Sequence, residues 1–293
     1  MGKPEVYLRM MRPANIITSV ADVLAGVCLS GYFMADSILI FPVLMLCLST
    51  MGLYGGGIVF NDVFDADLDR VERPERAIPS GEISMNEAIT LGIMLLIIGL
   101  VAAFAVSALS GLIAFLIAVF ALIYDKFGKH YSFIGPLNMG ICRGLNLLLG
   151  ISIVALSLQD LYLLGLVPLI YIFSITMISQ GEVHGSGRNK LFLGAFLYLI
   201  VITALAYHSW TQGELMFSSL FILLFAYGIY KPLYTAIKEP VGKNIGKAVK
   251  AGVISLILMD AAWASASGFL MMACLIAALL PLSLLLAKRF AVT

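Results

Sequence analysis

Apolar runs of helical length recur along nearly the whole of this 293-residue chain. Hydrophobic residues make up 61% of it and charged residues only 12%, about half the charged share of an ordinary soluble domain. A run of about 20 apolar residues is long enough to cross a bilayer as a helix, and a helix satisfies its own backbone hydrogen bonds there. The period-2 alternation of barrel strands is absent. The pattern therefore predicts an all-α, polytopic membrane protein with one domain over residues 1–293.

Ten spans are predicted from the positions of the apolar runs. They are residues 14–35, 38–61, 87–107, 109–125, 135–157, 161–181, 191–208, 216–236, 247–266 and 268–288. With the N-terminus in the cytoplasm, every Lys and Arg except Arg143 falls in a cytoplasmic loop or at the cytoplasmic end of a span. This asymmetry is a strong orientation signal and favours an even number of spans. If the break at 264–268 is a kink rather than a turn, the number is nine.

Several classes of partner and chemistry are disfavoured by the bulk composition. The net charge of +1 argues against a nucleic-acid partner. The four cysteines (Cys28, Cys47, Cys142 and Cys274) lie in apolar segments without C-x-x-C spacing, so they are expected to pack as small hydrophobic residues. No cleavable signal peptide is expected, because the first dozen residues form a short basic segment that precedes the first predicted span.

The second predicted span runs directly into the acidic segment 61–70, N-D-V-F-D-A-D-L-D-R. Carboxylates at the end of such a run are costly unless cations meet them. On a helix, Asp62, Asp65 and Asp69 share one face and Asn61 lies on its edge. Such a row of hard oxygen ligands suits Mg²⁺, which takes one or two carboxylates and completes its shell with water and phosphate oxygens. The alternative is a solvated acidic loop.

The same loop continues with residues 73–81, R-P-E-R-A-I-P-S-G. Arginine offers a planar fork of donors that matches phosphate oxygens. Arg73 and Arg76 are therefore candidates to clamp a diphosphate that the acidic row holds through Mg²⁺. The alternative is a pair of ordinary positive-inside residues in a proline-rich turn. Asp67 points away from the shared acidic face and is expected to be solvated.

The spacing N-D-x-x-D-x-x-x-D at 61–69 and the loop 73–81 resemble those of the UbiA family of membrane prenyltransferases. The start Arg12-Pro13-Ala14-Asn15 is similar to the family's R-P-x-N, and segment 124–129 is similar to its tyrosine followed by basic residues. The resemblance implies a bundle of nine or ten spans around a central cavity. It also implies Mg²⁺ as cofactor, with a prenyl diphosphate, a lipophilic acceptor and membrane lipid as partners.

The resemblance also suggests roles for residues outside the acidic row. Asn15 would face the cavity near the acceptor or the metal; the alternative is an interhelical hydrogen bond. Tyr124, Lys126 and Lys129 would add to the phosphate site; the alternative for the lysines is the positive-inside rule.

Arg143 is the only basic residue well inside an apolar segment. One interpretation has it reach the diphosphate of the substrate. The other pairs it with one of two intramembrane carboxylates, Asp22 or Asp260. The second interpretation is the more economical one.

Active family members usually carry a second aspartate-rich motif where this chain has residues 176–185. Here only Glu182 remains, with Ile178 and Ser179 one turn earlier. Glu182 is predicted to complete a reduced metal site; the alternative is that the chain binds its substrate differently. His184 is predicted to do acid–base or hydrogen-bonding work rather than bind Mg²⁺, and the alternative is an ordinary loop residue. The segment S-Q-G-E-V-H-G resembles the EboC-like branch of the family.

The predicted function is transfer of an isoprenyl group from a prenyl diphosphate to an aromatic or other nucleophilic acceptor by Mg²⁺-assisted ionisation. The predicted catalytic residues are Asp62, Asp65, Asp69 and Glu182, and the predicted location is a bacterial inner membrane with the active site facing the cytoplasm. The depleted second motif supports an alternative, a non-catalytic isoprenoid-binding protein. A faint repeat, in which Pro13 precedes Gly26 and Pro136 precedes Gly150, permits another, a transporter of a lipid-soluble precursor.

Overall fold

The computed structural model describes residues 2–35, 38–182 and 185–290, and in these residues it contains α-helices and short 3₁₀ turns but no strand. The all-α prediction is confirmed. The helices are α1 (Lys3–Met11), α2 (Pro13–Leu29), α3 (Ile40–Phe64), α4 (Ala66–Glu72), α5 (Met85–Phe104), α6 (Ala108–Lys126), α7 (Ile134–Ile151), α8 (Ala155–Leu161), α9 (Leu166–Ser179), α10 (Arg188–Thr211), α11 (Leu215–Lys238), α12 (Gly242–Ala266), α13 (Leu270–Ala277) and α14 (Leu279–Arg289).

Within the described residues, eight helical segments are long and apolar enough to cross a membrane, or nine if α1 and α2 form one bent span. The segments Ala155–Ser179 and Leu270–Arg289 each count as one of the eight. The 25-residue helix α12 is not among them and is packed within the bundle. Every predicted span is helical, but the prediction of ten exceeds the eight or nine that qualify. The chain is an integral membrane protein.

The predicted end of the first span is wrong, and the predicted turn between the last two spans is confirmed. The first was expected to run to residue 35, but α2 ends at Leu29, and Gly31 follows in a left-handed conformation that stops the helix. The break between the last two spans is a turn, as predicted, and not the alternative kink, because Gly268 adopts φ +83° between α12 and α13.

Among the described residues, the two larger hydrophobic clusters meet along α2 and α7. The larger joins these two helices to α9 through α13 around the fully buried Tyr171, Phe225 and Trp263. The smaller joins them to α3, α5 and α6. The space between the two clusters is where a central cavity can form.

The helices α2 and α7 touch through the glycines of the faint repeat. A Cβ atom at Gly26 would lie 2.4 Å from the Leu147 carbonyl oxygen and 2.9 Å from the Gly150 Cα, and one at Gly150 would lie 2.3 Å from the Val23 carbonyl oxygen. These obstacles are backbone atoms, so they cannot move aside as a flexible side chain would. Small residues permit this close approach of helices in a membrane bundle.

Replacing Gly26 by Ala is expected to force α2 and α7 apart and to lower the free energy of unfolding by about 1–3 kcal/mol. Gly246→Ala in α12 is the matched control, because nothing lies within 4 Å of a Cβ there. That change should be neutral or slightly stabilising. Thermal unfolding in detergent measures both, and equal effects of the two changes would contradict the packing argument.

The N-terminal helix α1 packs against the loop that precedes α5. Val6 and Met10 share a hydrophobic cluster with Ala77 and Ile83 of that loop. Two ion pairs add to the contact: Lys3 Nζ lies 2.5 Å from Glu87 Oε1, and Arg9 pairs with Glu82. Glu87 also closes a capping box with Ser84, whose Oγ accepts from the Glu87 backbone N–H. α1 thereby supports the loop that carries Arg73 and Arg76.

Candidate functional site

A cavity of about 450 Å³ lies between α2, α3, α6, α7, α9 and α12. Much of its wall is aliphatic, with Leu53, Ile58, Ile117, Met139, Ile172, Ile175, Val249, Val253 and Leu256. Its other lining residues include polar and charged groups that converge from several elements: Arg12, Asn15, Asn61, Asp65, Arg73, Arg76, Tyr124, Asp125, Arg143 and Glu182. The cavity therefore combines an apolar wall with a strongly polar one.

The acidic row keeps helical spacing but is interrupted at Asp65, where α3 ends and α4 begins. The Asp65 N–H donates to the Asn61 carbonyl at 3.0 Å, and the Asp69 N–H donates to the Asp65 carbonyl at 2.8 Å. Of the row, Asn61 and Asp65 line the cavity, whereas Asp62 and Asp69 do not. In this structure Asp65 lines the cavity directly, whereas Asp62 and Asp69 contact arginines that line it, and the predicted metal-binding role of Asp62 and Asp69 stays a prediction.

Asp62 and Asp69 form ion pairs with arginines that line the cavity. Arg76 Nη1 lies 2.7 Å from Asp69 Oδ2 and 3.1 Å from Asp62 Oδ1, and Arg12 Nη2 lies 3.2 Å from the same Asp62 oxygen. Asp62 is 8% exposed and Asp69 4%, so these are nearly buried charges with partners. Their effect is to hold Arg76 and Arg12, which do line the cavity.

Arg12 has an unusual backbone, with φ +50° between α1 and α2. Positive φ is uncommon for a residue other than glycine. The following Pro13 explains part of it, since a residue before proline is disfavoured in the α region, and proline is well suited to begin a helix. The two helices meet here at 51°, which directs the Arg12 guanidinium toward Asp62 and the cavity.

Asp125 is a cavity residue that was not among the predicted site residues. It is 4% exposed and accepts a hydrogen bond from Asn61 Nδ2 at 3.0 Å. Lys129 pairs with Asp65 beside it. The sequence signal for Asp125 is the same as for the acidic row, a carboxylate at the polar end of an apolar run.

Lys126 does not reach the cavity, which contradicts its predicted role in the phosphate site. It is exposed, lies 5.2 Å above the Phe127 ring, and lines a separate outer groove between α3, α5 and α6. The helix α6 ends at Lys126, and Phe127 leaves the helical conformation, so Lys126 and Lys129 point to different surfaces. Tyr124 lines the cavity, as predicted.

Arg73 directly follows α4, and Glu182 lies shortly after the end of α9. Both residues line the cavity although they are far apart in the sequence. Glu182 is half-buried. Burial raises the pKa of its carboxyl group, and the positive charges of Lys250 and Arg73 oppose that rise. His184 lies outside the described residues.

Asn15 and Arg143 both line the cavity and both are nearly buried, at 9% and 5% exposure. Arg143 forms an ion pair with Asp22, and its Nη2 donates to the Thr18 carbonyl at 2.6 Å. The prediction that Arg143 pairs with an intramembrane carboxylate is confirmed. Because Arg143 also lines the cavity, its ion pair with Asp22 is compatible with a role in substrate binding.

The donor set fits Mg²⁺, although not as a preformed cage. In the described part of the chain, no three His, Cys, Asp or Glu side chains are grouped as a metal site. Asn61, Asp65 and Glu182 supply hard oxygen atoms to one cavity, and Asp125 adds a fourth. Mg²⁺ commonly binds through one or two carboxylates plus water and substrate phosphate, so this set is sufficient.

Comparison with known proteins agrees with this architecture. Residues 23–184, more than half of the chain, match the UbiA prenyltransferase family. Similar proteins include the digeranylgeranylglyceryl phosphate synthases of Methanocaldococcus jannaschii and Ignicoccus hospitalis. The first is 28% identical over 218 residues, 69% of this chain and 75% of that protein. The second is 34% identical over 149 residues, 51% of this chain and 47% of that protein.

Solved structures show the same fold. A structure of digeranylgeranylglyceryl phosphate synthase has a TM-score of 0.68 at 24% identity and covers 91% of this chain and 99% of its own. A UbiA homologue from Archaeoglobus fulgidus bound to GPP and Mg²⁺ has a TM-score of 0.60 at 19% identity, with coverage of 86% and 99%. With its family match, its all-helical fold and its membrane-spanning segments, the chain belongs to the UbiA prenyltransferase family.

Proposed function

We propose that this protein transfers an isoprenyl group from a prenyl diphosphate to a nucleophilic acceptor within the cavity. The proposal rests on one observation: a single cavity has an aliphatic wall and, next to it, a polar wall that contains Arg12, Arg73 and Arg76. A prenyl diphosphate has the same two parts, a long apolar tail and a compact anionic head. Solved relatives from Archaeoglobus fulgidus bind DMAPP or GPP together with Mg²⁺.

The arginines are proposed to bind the diphosphate and to stabilise the negative charge that develops as the C1–O bond breaks. Asp62 and Asp69 act indirectly, since they hold Arg76 in place at the cavity. When bound, Mg²⁺ would be held by Asn61, Asp65 and Glu182, and it would supply Lewis-acid assistance to the leaving group. The nucleophile then forms its bond to C1 and loses its proton.

Aromatic rings near the polar wall are suited to the positive charge on the allylic carbon. Tyr54 and Tyr124 both line the cavity. The negative face of an aromatic ring attracts a cation most strongly where water is excluded. These rings are proposed to shield the carbocation while the acceptor approaches.

The chain length of the prenyl donor and the branch of the family to which the protein belongs are part of the proposal. The names of the archaeal relatives favour a geranylgeranyl donor and a glyceryl phosphate acceptor, whereas segment 179–185 favours the EboC-like branch. We adopt the geranylgeranyl donor, and the branch stays a prediction.

The cavity is proposed to open to the cytoplasm, since the loop 62–86 beside it carries Arg70, Arg73 and Arg76.

Purified protein in lipid nanodiscs tests the proposal. Labelled geranylgeranyl diphosphate is supplied with geranylgeranylglyceryl phosphate or with a long-chain phenol. One diphosphate is expected per prenylated product, and only when Mg²⁺ is present. Binding without diphosphate release would favour the non-catalytic alternative, and gradient-driven movement of the substrate in sealed vesicles would favour the transporter.

Glu182→Gln is expected to raise the Mg²⁺ concentration for half-maximal activity by between about ten- and a hundredfold. Metal binding requires the deprotonated carboxylate. Because burial raises the pKa of Glu182, the wild-type requirement for Mg²⁺ should increase as the pH falls through that pKa. This pH-dependent component should vanish in the variant. An unchanged Mg²⁺ requirement would remove Glu182 from the metal site.

A further inference from the structure

Three side chains form a second polar region of the cavity, within the membrane-spanning helices rather than in the loops. Thr50 comes from α3, and Arg143 and Asn146 come from α7. We call these three residues the inner polar patch. Thr50 Oγ1 donates to Asn146 Oδ1 at 2.7 Å, which links the two helices across the cavity wall. Nothing in the diphosphate chemistry described above uses this patch.

The patch is fixed in place by α2. Asn146 Nδ2 donates to Asp22 Oδ2 at 3.0 Å and to the Ser19 carbonyl at 2.9 Å. Arg143 pairs with Asp22 through Nε and donates to the Thr18 carbonyl through Nη2. Among the described residues, the remaining guanidinium nitrogen, Nη1, has no hydrogen-bond partner, while Arg143 lines the cavity. The Thr50 hydroxyl oxygen also keeps acceptor capacity.

Charge distinguishes this patch from the arginines beside the loops. Asp22 and Asp260 are both fully buried, and Arg143 is the cation that pairs with Asp22. With Asp22 ionised in its ion pair with Arg143, the summed charge of Arg143, Asp22 and Asp260 is zero or negative, whether or not Asp260 is ionised. The patch therefore offers hydrogen-bond donors without a net positive charge. A buried anion there would lack a counter-charge, which is costly, whereas a neutral oxygen would gain a partner.

We propose that the inner polar patch binds the polar group of the acceptor, and that this group is a neutral hydroxyl or carbonyl on a lipophilic molecule. The role as acceptor site rests on the proposed prenyl transfer. Any anionic group of the acceptor would have to lie outside the patch, toward the arginines near the loops. The patch would thereby hold the acceptor's polar end at a fixed position along the apolar wall.

Binding measurements in detergent, made by isothermal titration, test the patch directly. The probes are 4-nonylphenol, 4-nonylbenzoate and nonylbenzene, which share a tail and differ only in the polar group. The phenol is expected to bind about tenfold or more tightly than either of the others, the gain from one hydrogen bond to a charged donor. Equal affinities for the three probes, or tighter binding of the benzoate, would overturn the proposal.

Variants assign that binding to the patch. Arg143→Met alone would strip Asp22 of its cation, so the double variant Asp22→Asn with Arg143→Met removes both charges together. Thr50→Val keeps the ion pair and is the second variant, with Thr90→Val as the control because Thr90 is exposed on α5.

The double variant should lose the preference for the phenol, and Thr50→Val should reduce it severalfold. In both, the affinity for a non-hydrolysable geranylgeranyl thiodiphosphate should stay within about twofold. A loss of thiodiphosphate binding with the phenol preference intact would overturn the proposal. A wild-type protein that shows the phenol preference yet never transfers a prenyl group would refute the proposed function and leave the site standing.

Discussion

Replacing Asp65 by Asn is expected to lower the rate of prenyl transfer by about 10²- to 10³-fold, similar to the loss of one strong electrostatic contact to a leaving group. Asp65 is the carboxylate of the acidic row that lines the cavity, and Lys129 pairs with it there. The substitution keeps the shape of the side chain and removes the charge that Mg²⁺ needs. Diphosphate release from labelled substrate is the measurement.

Asp67→Asn is the matched control, since it makes the same chemical change two residues later in the same segment. The Asp67 side chain is 91% exposed and pairs only with the exposed Arg70 within the described chain. Its substitution should leave turnover within about twofold, because exposed ion pairs contribute little. Equal losses for the two variants would show that the acidity of the whole segment matters rather than the position of Asp65.

Replacing Arg76 by Gln is expected to lower the free energy of unfolding by about 3–5 kcal/mol, the usual cost of removing one partner from a buried ion pair. The Arg76 side chain is 15% exposed, and it contacts Asp69, which is 5% exposed, and Asp62, which is 11% exposed. Asp62 retains Arg12, but Asp69 has no other cationic partner among the described residues. Thermal unfolding of the purified variant measures the loss.

Two further variants separate this stability effect from substrate binding. Arg73→Gln changes an arginine that lines the same cavity but forms no ion pair with a buried carboxylate in the described structure. It should lower activity while changing stability by only about 0.5 kcal/mol. Asp69→Asn combined with Arg76→Gln should recover most of the lost stability and none of the lost activity. Failure of the double variant to recover stability would contradict the assigned pairing.

The sequence was sufficient for the fold class, the family and the general place of the site. Long apolar runs admit few structures other than membrane helices, and the helical spacing of Asn61, Asp62, Asp65 and Asp69 is a local property that does not depend on the rest of the chain. The capping box at Ser84 was predictable for the same reason, since both partners lie within one helical turn.

What the sequence could not show depends on contacts between distant segments. Asp62 and Asp69 turn toward Arg76 because the loop folds back over the row, which spacing alone does not indicate. The hydrogen bond from Asn61 to Asp125 joins two residues 64 positions apart. The separation of Lys126 from Lys129 follows from the exact residue at which α6 ends, and helix ends are the least predictable part of an element.

The most direct test of the central claim is photolabelling with a geranylgeranyl diphosphate analogue that carries a diazirine at the end of its tail. If the diphosphate binds at the arginines and the tail follows the aliphatic wall, adducts should form in α9 and α12, near Ile172, Ile175 and Val253. Excess unlabelled donor should suppress them. Adducts in α5, near Ile93 and Ile97 of the outer groove, or labelling that the donor does not suppress, would contradict the account.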